Sequence, residues 1–464
     1  MSWRAALGDR QIHALAWPAV VSAGVPLAHR LIDSAWVAGS FDHKAVAALG
    51  VAAVGVWLFA AFGWLVGMGL TSVVGRYVGA GRHHAASYMA HQGLRWAIVL
   101  GVAAGALGVV GAPWMFEQAG TDAAVAAHGV PYARIYWGGG ALLLAHVALD
   151  AIYRGHGDTR TPMRAAVLAL ALNMVLDPLL IRGLGPVPGL GVAGAAWATL
   201  LATAVPVFVL AREASQRGWL KGLVPDIDEL RFTPRTPAGK PGLFGLDPIA
   251  ARRMTRVGLP SGVASVWFNV VYLLLYDVVE VAGGSAAQAG LYIGHLGEGV
   301  AFVTGLGWSA AASSLVSREL GAGRPDAAGR AAWRAAFQCM AVTAVWSVVL
   351  LVAHEPLAHL FSPHEADAAA TAFGAAYLRI VALCLLPQAI ELALDGAFGG
   401  AGLTMPPMIV GIVLSTARVP LAWWAVENGY GVSGIWAVIA ITAGLRGVLV
   451  AFWFQRGTWK QRTV

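Results

Sequence analysis

The chain has 464 residues, of which 58% are hydrophobic and 12% are charged, with a mean hydropathy of +0.67. Soluble globules carry about 25% charged residues, so this composition excludes one and places the chain in a bilayer. Its net charge of +7 would point to nucleic acid or an acidic partner in a soluble protein; here the location of the charge says more than its sum.

A hydrocarbon core of about 30 Å takes roughly 20 apolar residues of helix. Runs of that kind predict twelve membrane-spanning helices: 14–38, 46–74, 93–113, 130–153, 163–182 and 190–212, then 257–283, 288–317, 332–353, 370–397, 407–427 and 432–455. The runs are too long and continuous for the alternating strands of a membrane barrel, and helices satisfy their own backbone in lipid. The expected fold class is an all-α polytopic membrane protein.

The first 13 residues are polar, and the apolar run after them is long, with no small-residue cleavage pattern. This reads as a retained first helix and not as a removed signal peptide. With the N-terminus inside, 23 of the 31 Lys and Arg residues fall in the two tails, the even-numbered connections and the central linker or at the span ends that adjoin them. Lys44, Arg134, Arg182 and Arg379 lie at opposite ends, and Arg30, Arg95, Arg418 and Arg446 lie within spans. Both termini are therefore expected in the cytoplasm. Trp17, Trp114, Trp137 and Trp459 near helix ends read as interface anchors. Cys339 and Cys384, both inside spans, imply neither a disulfide framework nor a metal cluster.

The sequence is written twice. ALDAIYRGHGDTRTPM at 148–163 returns as ALDGAFGGAGLTMPPM at 393–408, and YARI at 132–135 as YLRI at 377–380, giving 11 identities in 32 positions. Composition alone gives roughly one match in ten. GAGR at 79–82 returns at 321–324, with Arg76 mirrored by Arg318, and GVAG at 191–194 returns as GVSG at 431–434. A period of about half the chain is a duplicated bundle and excludes short solenoid repeats. Six spans per copy is even, so the copies enter from the same side as parallel repeats. The expected organisation is an N-terminal six-helix bundle at 1–212, a cytoplasmic linker at 213–256 and a C-terminal six-helix bundle at 257–464, with a central cleft. The repeated stretch itself reads as a turn between the fourth and fifth spans of each copy, with glycines for the turn and Pro162 or Pro407 for the next helix start.

Charged groups inside spans cost roughly 2.5–3.5 kcal/mol at a helix centre on insertion scales, so they seldom persist without use. Asp33 and Asp177 each lie five residues before the outer end of their span, at about 7–8 Å depth, and can meet. Asn173 stands one turn before Asp177, and Pro178 frees a carbonyl. Carboxylates, an amide oxygen and a free carbonyl suit a hard cation; mutual repulsion of the carboxyls suits a proton. The plain alternative makes them interfacial residues, Asp33 neutralised by His29 or Arg30, and Asp177–Pro178 an ordinary bend. Neither Asp has an acidic twin, since the repeat places Leu275 and Val419 there. Glu391 is a further candidate, and its repeat counterpart is His146. Pro18 and Pro26 are positions where the first span can kink.

LIDSAWVAG in span 1, GAGR after span 2, RGHGDTRTPM after span 4, NMVLDPLLI in span 5 and GVAGAAWAT in span 6 together resemble the multidrug and toxic compound extrusion (MATE) transporters along the whole chain. The resemblance implies a twelve-helix antiporter that exports lipophilic, often cationic compounds in exchange for H+ or Na+. Its N-half cation site falls on Asp33, Tyr132, Asn173, Asp177 and Thr199. The acids that one branch of the family carries in spans 7 and 10 fall near Phe268 and Asn269 and near Gln388, so this chain is closer to the DinF-like branch.

The expectation is thus a secondary antiporter of a bacterial inner membrane, not an enzyme, with no cofactor, no nucleic acid and no metal beyond a Na+ at the coupling site. It is expected as a monomer whose partners are the bilayer and an amphiphilic small molecule. A lipid-linked precursor flippase, which needs several cationic groups facing a pyrophosphate, and a polytopic membrane enzyme are the alternatives.

Overall fold

The computed structural model describes residues 10–38, 43–184, 187–222, 245–361 and 368–461. Long apolar stretches with no alternation can bury their backbone in lipid only as helix, and helix is what forms. In chain order these are α1 (Arg10–Ala38), α2 (His43–Gly79), α3 (His83–Gln118), α4 (Ala123–Gly138), α5 (Gly140–His156), α6 (Arg160–Ile181), α7 (Val192–Gln216), α8 (Pro248–Gly321), α9 (Pro325–Phe361), α10 (Ala368–Val381), α11 (Leu385–Ala401), α12 (Met405–Glu427) and α13 (Gly431–Gln455). A short 3-10 turn follows at Thr458–Gln461.

Among the described residues thirteen helices make twelve spans, because four of them join as two bent pairs and one divides in two. α4 and α5 bend by 48° and α10 and α11 by 66°, and each bent pair is one crossing. α8 is 74 residues long and leaves helical geometry at Gly283 and Gly284, which divides it into the expected seventh and eighth spans. The two bends stand at the same place in the repeat: Gly139 starts α5 and Cys384, 245 positions on, starts α11.

The duplicated stretch is a duplicated turn. Gly157 ends α5 at φ 82° and Gly402 ends α11 at φ 74°. In one copy the amides of Gly157 and Asp158 donate to the carbonyls of Arg154 and Tyr153, both at 2.9 Å; in the other, those of Gly402 and Leu403 donate to Gly399 and Phe398. A left-handed residue after the last helical turn closes the final carbonyls in this way, and glycine adopts it without a Cβ penalty.

Helix also extends past the apolar runs. α3 begins at His83, ten residues before the expected span, and α2 runs on through Arg76 to Gly79. The linker expected at 213–256 is helical at both ends, as the last turn of α7 and the start of α8; residues 223–244 lie outside the described ones. Asp247 starts α8 by accepting from the amides of Ile249 and Ala250 at 2.8 and 3.3 Å, ahead of the apolar run. A two-residue antiparallel ladder, β1 (Gly183–Leu184) with β2 (Val187–Pro188), joins α6 to α7 and pairs Gly183 with Pro188.

The chain gathers into two compact units. The N-unit comprises residues 21–262, 317–323 and 463–464, and the C-unit 1–20, 263–316 and 324–462. In the N-unit α2 through α5 share a buried core that includes Leu70, Val74, Tyr77, Leu144 and Ile152. In the C-unit α8, α10, α11 and α13 enclose Leu275, Leu291, Leu378, Ile435 and Trp436. Both cysteines are buried and free.

Candidate cation site

The site forms in the N-unit where α1, α6 and α7 meet. Asn173 and Asp177 lie four residues apart on α6, hence on one face, and both are fully buried. Asn173 Nδ2 donates to Asp177 Oδ1 at 3.0 Å. Asp33, 5% exposed on α1, brings its carboxyl against the Asp177 carboxyl, the Asn173 amide and the Thr199 hydroxyl.

The arrangement is short of donors. Asp33 Oδ1, Asp177 Oδ2 and the Asn173 side-chain oxygen are buried with no hydrogen-bond partner. Thr199 spends its own proton on the Ala195 carbonyl at 3.1 Å, so towards the acids it offers lone pairs. Buried polar atoms nearly always find partners, and carboxylate and amide oxygens left open together suit an occupant that is positive. Two facing carboxylates away from water repel by about 4 kcal/mol at 4 Å and an effective dielectric of 20. A proton or a hard cation between them removes that repulsion, and oxygen-only donors suit both.

Two prolines do not interrupt α1, which is continuous through Pro18 and Pro26. Pro178 lies inside α6, and its carbonyl accepts the Arg182 amide at 3.2 Å. Tyr132 of α4 is buried in the cluster that holds Val37 and Ile181, each four residues beyond one of the two acids. Among the described side chains no Lys, Arg or His pairs with Asp33 or Asp177. The side chain of Arg30 lies outside the described residues. His29 instead lies near the Ala169 backbone and His146, with its Nε2 unpartnered.

The remaining sequence candidates sit elsewhere. Glu391 of α11 forms an ion pair with Arg446 of α13. Asn269 donates to the Ser265 carbonyl of its own helix at 2.8 Å. Gln388 donates to Glu298 at 2.9 Å, and Tyr377 donates to the other oxygen of the same carboxylate at 2.8 Å. Glu298 was not anticipated. Its signal was available, a carboxylate in the apolar run LYIGHLGEGVAF with His295 three residues before it. Asp150, close to the turn, pairs with Arg154. Among the described residues no three His, Cys, Asp or Glu side chains gather as metal ligands.

The chain resembles known proteins along its length. The MatE family model matches residues 18–179 and 260–424, more than half of the chain. A protein of Thermotoga maritima named as a probable multidrug resistance protein NorM is 26% identical over 98% of this chain and 94% of its own. A NorM of the same description from Caulobacter vibrioides is 28% identical over 97% and 91%. An FAD transporter of Shewanella oneidensis is 25% identical over 84% and 82%. Among solved structures, a multidrug resistance MATE family transporter in an outward-facing conformation superposes with a TM-score of 0.85 over 99% of this chain and 98% of that one, at 24% identity. A transporter of the MOP superfamily from Pyrococcus furiosus gives 0.84 at 23% identity, over 99% and 98%. These superpositions bear on the fold.

Proposed function

The chain belongs to the MatE family of transporters, and from that premise we propose that it is an antiporter exporting lipophilic, cationic small molecules in exchange for H+ or Na+. The observation that carries this reading is the cluster of buried, donor-less oxygens on Asp33, Asp177 and Asn173. Thr199 and Tyr132 complete its walls.

Occupancy of this cluster by the ion and of the substrate site by its ligand exclude one another, so each drives release of the other by linkage. The two bundles, 1–212 and 257–464, joined by 213–256, alternately expose the sites to the two sides, with both termini in the cytoplasm of a bacterial cell and the chain acting as a monomer in the inner membrane. One inward charge gains about 2.3 kcal/mol per 100 mV, enough to concentrate a neutral substrate about 50-fold. One-for-one exchange with a monocation is electroneutral and draws on the ion gradient alone.

The test is uptake of a lipophilic cation into proteoliposomes under imposed sodium or proton gradients, with Asp33→Asn and Asp177→Asn beside the parent. Gradient-driven accumulation should vanish in both variants while passive equilibration persists. Parent-like accumulation by both, under either gradient, removes the coupling site from these residues.

A further inference from the structure

The C-unit holds a cavity that the Asp33–Asp177 site does not use. About 410 Å³ in volume, it lies between α8 and α9 and reaches the start of α1. Ala301 and Thr304 of α8, Gln338 and Ala341 of α9 and His13 of α1 are among its walls. Small side chains at 301 and 341 leave the space, and a tryptophan spans the gap at each end. Trp308 Nε1 of α8 donates to Gln338 Oε1 of α9 at 3.3 Å, and Trp346 Nε1 of α9 donates back to the Gly297 carbonyl of α8 at 2.9 Å. Eight residues separate the two bridges on α9 and eleven on α8, so they frame a slot about 12–16 Å long at 1.5 Å per residue.

The slot opens on lipid. α8 and α9 are long and apolar enough to cross a membrane, and Val300 and Val345, which also line the slot, are 43% and 67% exposed. Its depth is apolar: Ala301 is buried, and the Thr304 hydroxyl donates to the Val300 carbonyl of its own helix at 2.9 Å, so it asks nothing of an occupant. The end at His13 differs. The His13 ring stands edge-on to Trp308 at 6.1 Å, and Trp17, half exposed, meets the same indole at 5.2 Å as an anchor at the membrane interface. Arg10, exposed, stands one turn before His13 on α1, and Arg334 one turn before Gln338 on α9. Residues 10–17 and 330–346 carry three arginines and one histidine and no acid. Asp326, one turn beyond Arg330, is taken by Lys460.

An empty slot forfeits the packing contacts of its walls, and water finds no partners in an apolar one. A narrow apolar slot that opens on hydrocarbon and is headed by cations at the membrane surface matches an acyl chain carrying an anionic headgroup. We propose that the slot between α8 and α9 binds an anionic phospholipid, with one chain lying between the two tryptophan bridges and the phosphate at Arg10, His13 and Arg334. The phosphate gains charge-assisted hydrogen bonds from the guanidinium groups. The bound lipid ties the first turns of α1 to α8 and α9, which otherwise meet there through the rings around Trp308. A lipophilic cation is repelled at the same end, so the slot selects against the cargo of the transport reading. Binding of this kind goes beyond that reading and depends neither on its ion nor on its cargo.

Native mass spectrometry tests it on the full chain, delipidated in a non-ionic detergent and given equal amounts of palmitoyl-oleoyl phosphatidylglycerol and the matching phosphatidylcholine. The first lipid retained should be phosphatidylglycerol by at least about fivefold, the worth of one basic residue near a headgroup. Ala341→Trp and Thr304→Trp each fill the slot and should lose that lipid. Arg10→Gln/Arg334→Gln should keep a lipid but hold the two kinds equally; should it fail to fold, Arg10→Gln alone, at an exposed position, should still lower the preference. Inorganic phosphate, which has no chain, should not displace the lipid. Equal retention of the two lipids by the parent overturns the proposal, as does a preference that survives in folded Ala341→Trp or Thr304→Trp. Displacement by phosphate, which would leave an anion site without a chain, or by tetraphenylphosphonium, which would give the slot to cargo, overturns it too. Asp33→Asn separates the two readings: it should abolish gradient-driven transport and leave the retained lipid in place.

Discussion

The Glu391–Arg446 pair offers the sharpest test of which intramembrane charges hold the fold. Side-chain exposure is 4% for Glu391 and 19% for Arg446, so neither is solvated enough to lose its partner cheaply. Arg446→Met takes from a buried carboxylate its ion-pair partner and leaves it the more distant charge of Arg418, at about 3–5 kcal/mol. It also removes a guanidinium from above the Phe268 ring at 6.0 Å, about 0.5–1 kcal/mol more, and leaves Asp395 facing Glu391 without a cation between them. The total should fall near the upper end of that range, about 4–5 kcal/mol. Glu391→Gln keeps a polar partner for Arg446, which still has Asp395 as a neighbour, and should cost about 1.5–3 kcal/mol, the worth of a hydrogen bond to a charged group. The double variant Glu391→Met/Arg446→Met replaces both charges by apolar groups and should recover most of the loss. Equilibrium unfolding of the parent, Glu391→Met, Arg446→Met and the double variant in mixed micelles gives the cycle, with Glu391→Gln measured beside them. Single-variant effects that add to within about 0.5 kcal/mol refute the pair as a stability element and return Glu391 to the list of coupling acids.

Two further effects follow from the turn after α5. Gly157→Ala meets a left-handed backbone, about 1–2 kcal/mol, and its Cβ also runs into the Arg318 guanidinium, whereas Gly81→Ala at φ 71° has open space and meets the backbone part alone. Gly157→Ala should therefore melt lower than Gly81→Ala, and equal melting temperatures would exclude the crowding. In the same turn, burial works to raise the Asp158 carboxyl, but the Thr161 amide at 3.0 Å, its hydroxyl at 2.7 Å and Arg217 at 2.9 Å hold it below the ordinary carboxylate range. A lowered folded value means stability that is complete above the unfolded pKa, about 3.9, and is lost as pH falls through the folded one. Melting temperature against pH should fall less steeply below about pH 4 for Asp158→Asn than for the parent, and parallel profiles would deny Asp158 that role.

The spans were legible because lipid admits few solutions, and hydropathy reads the lipid directly. Where helix leaves lipid that signal stops, which is why α3 begins at His83 and α8 at Pro248, ahead of their apolar runs. The ladder at 183–188 is too short to show any period. Asp33, Asn173 and Asp177 were legible as polar groups at one depth on two helices running the same way. Glu298 meets the same criterion, but its partners Tyr377 and Gln388 lie 79 and 90 positions away, and no local pattern announces such bonds. The pairing of Glu391 with Arg446 is equally non-local, so a candidate ion ligand in the sequence becomes an ion already answered in the structure.

Duplication and charge part company in this chain. The bends at Gly139 and Cys384 and the left-handed turns at Gly157 and Gly402 recur at a single offset, as backbone geometry must if both copies are to make the same hairpins. Asp150 recurs with the turn as Asp395, but the two acids of the cation site do not recur: where the N-unit has Asp33 and Asp177 the C-unit has Leu275, fully buried, and Val419, packed on the same core. An acid needed for folding would be needed in both copies, because both must close the same helices. An acid needed to hold one ion need stand only once, and Asp33 and Asp177 each keep one buried oxygen without a donor. The C-unit places its charges at other positions, Glu298, Glu391, Arg418 and Arg446, and satisfies them differently, one pair internally and two against aromatic hydroxyls. One scaffold used twice thus carries its charges at unrelated positions, because a span tolerates a charge wherever some partner meets it.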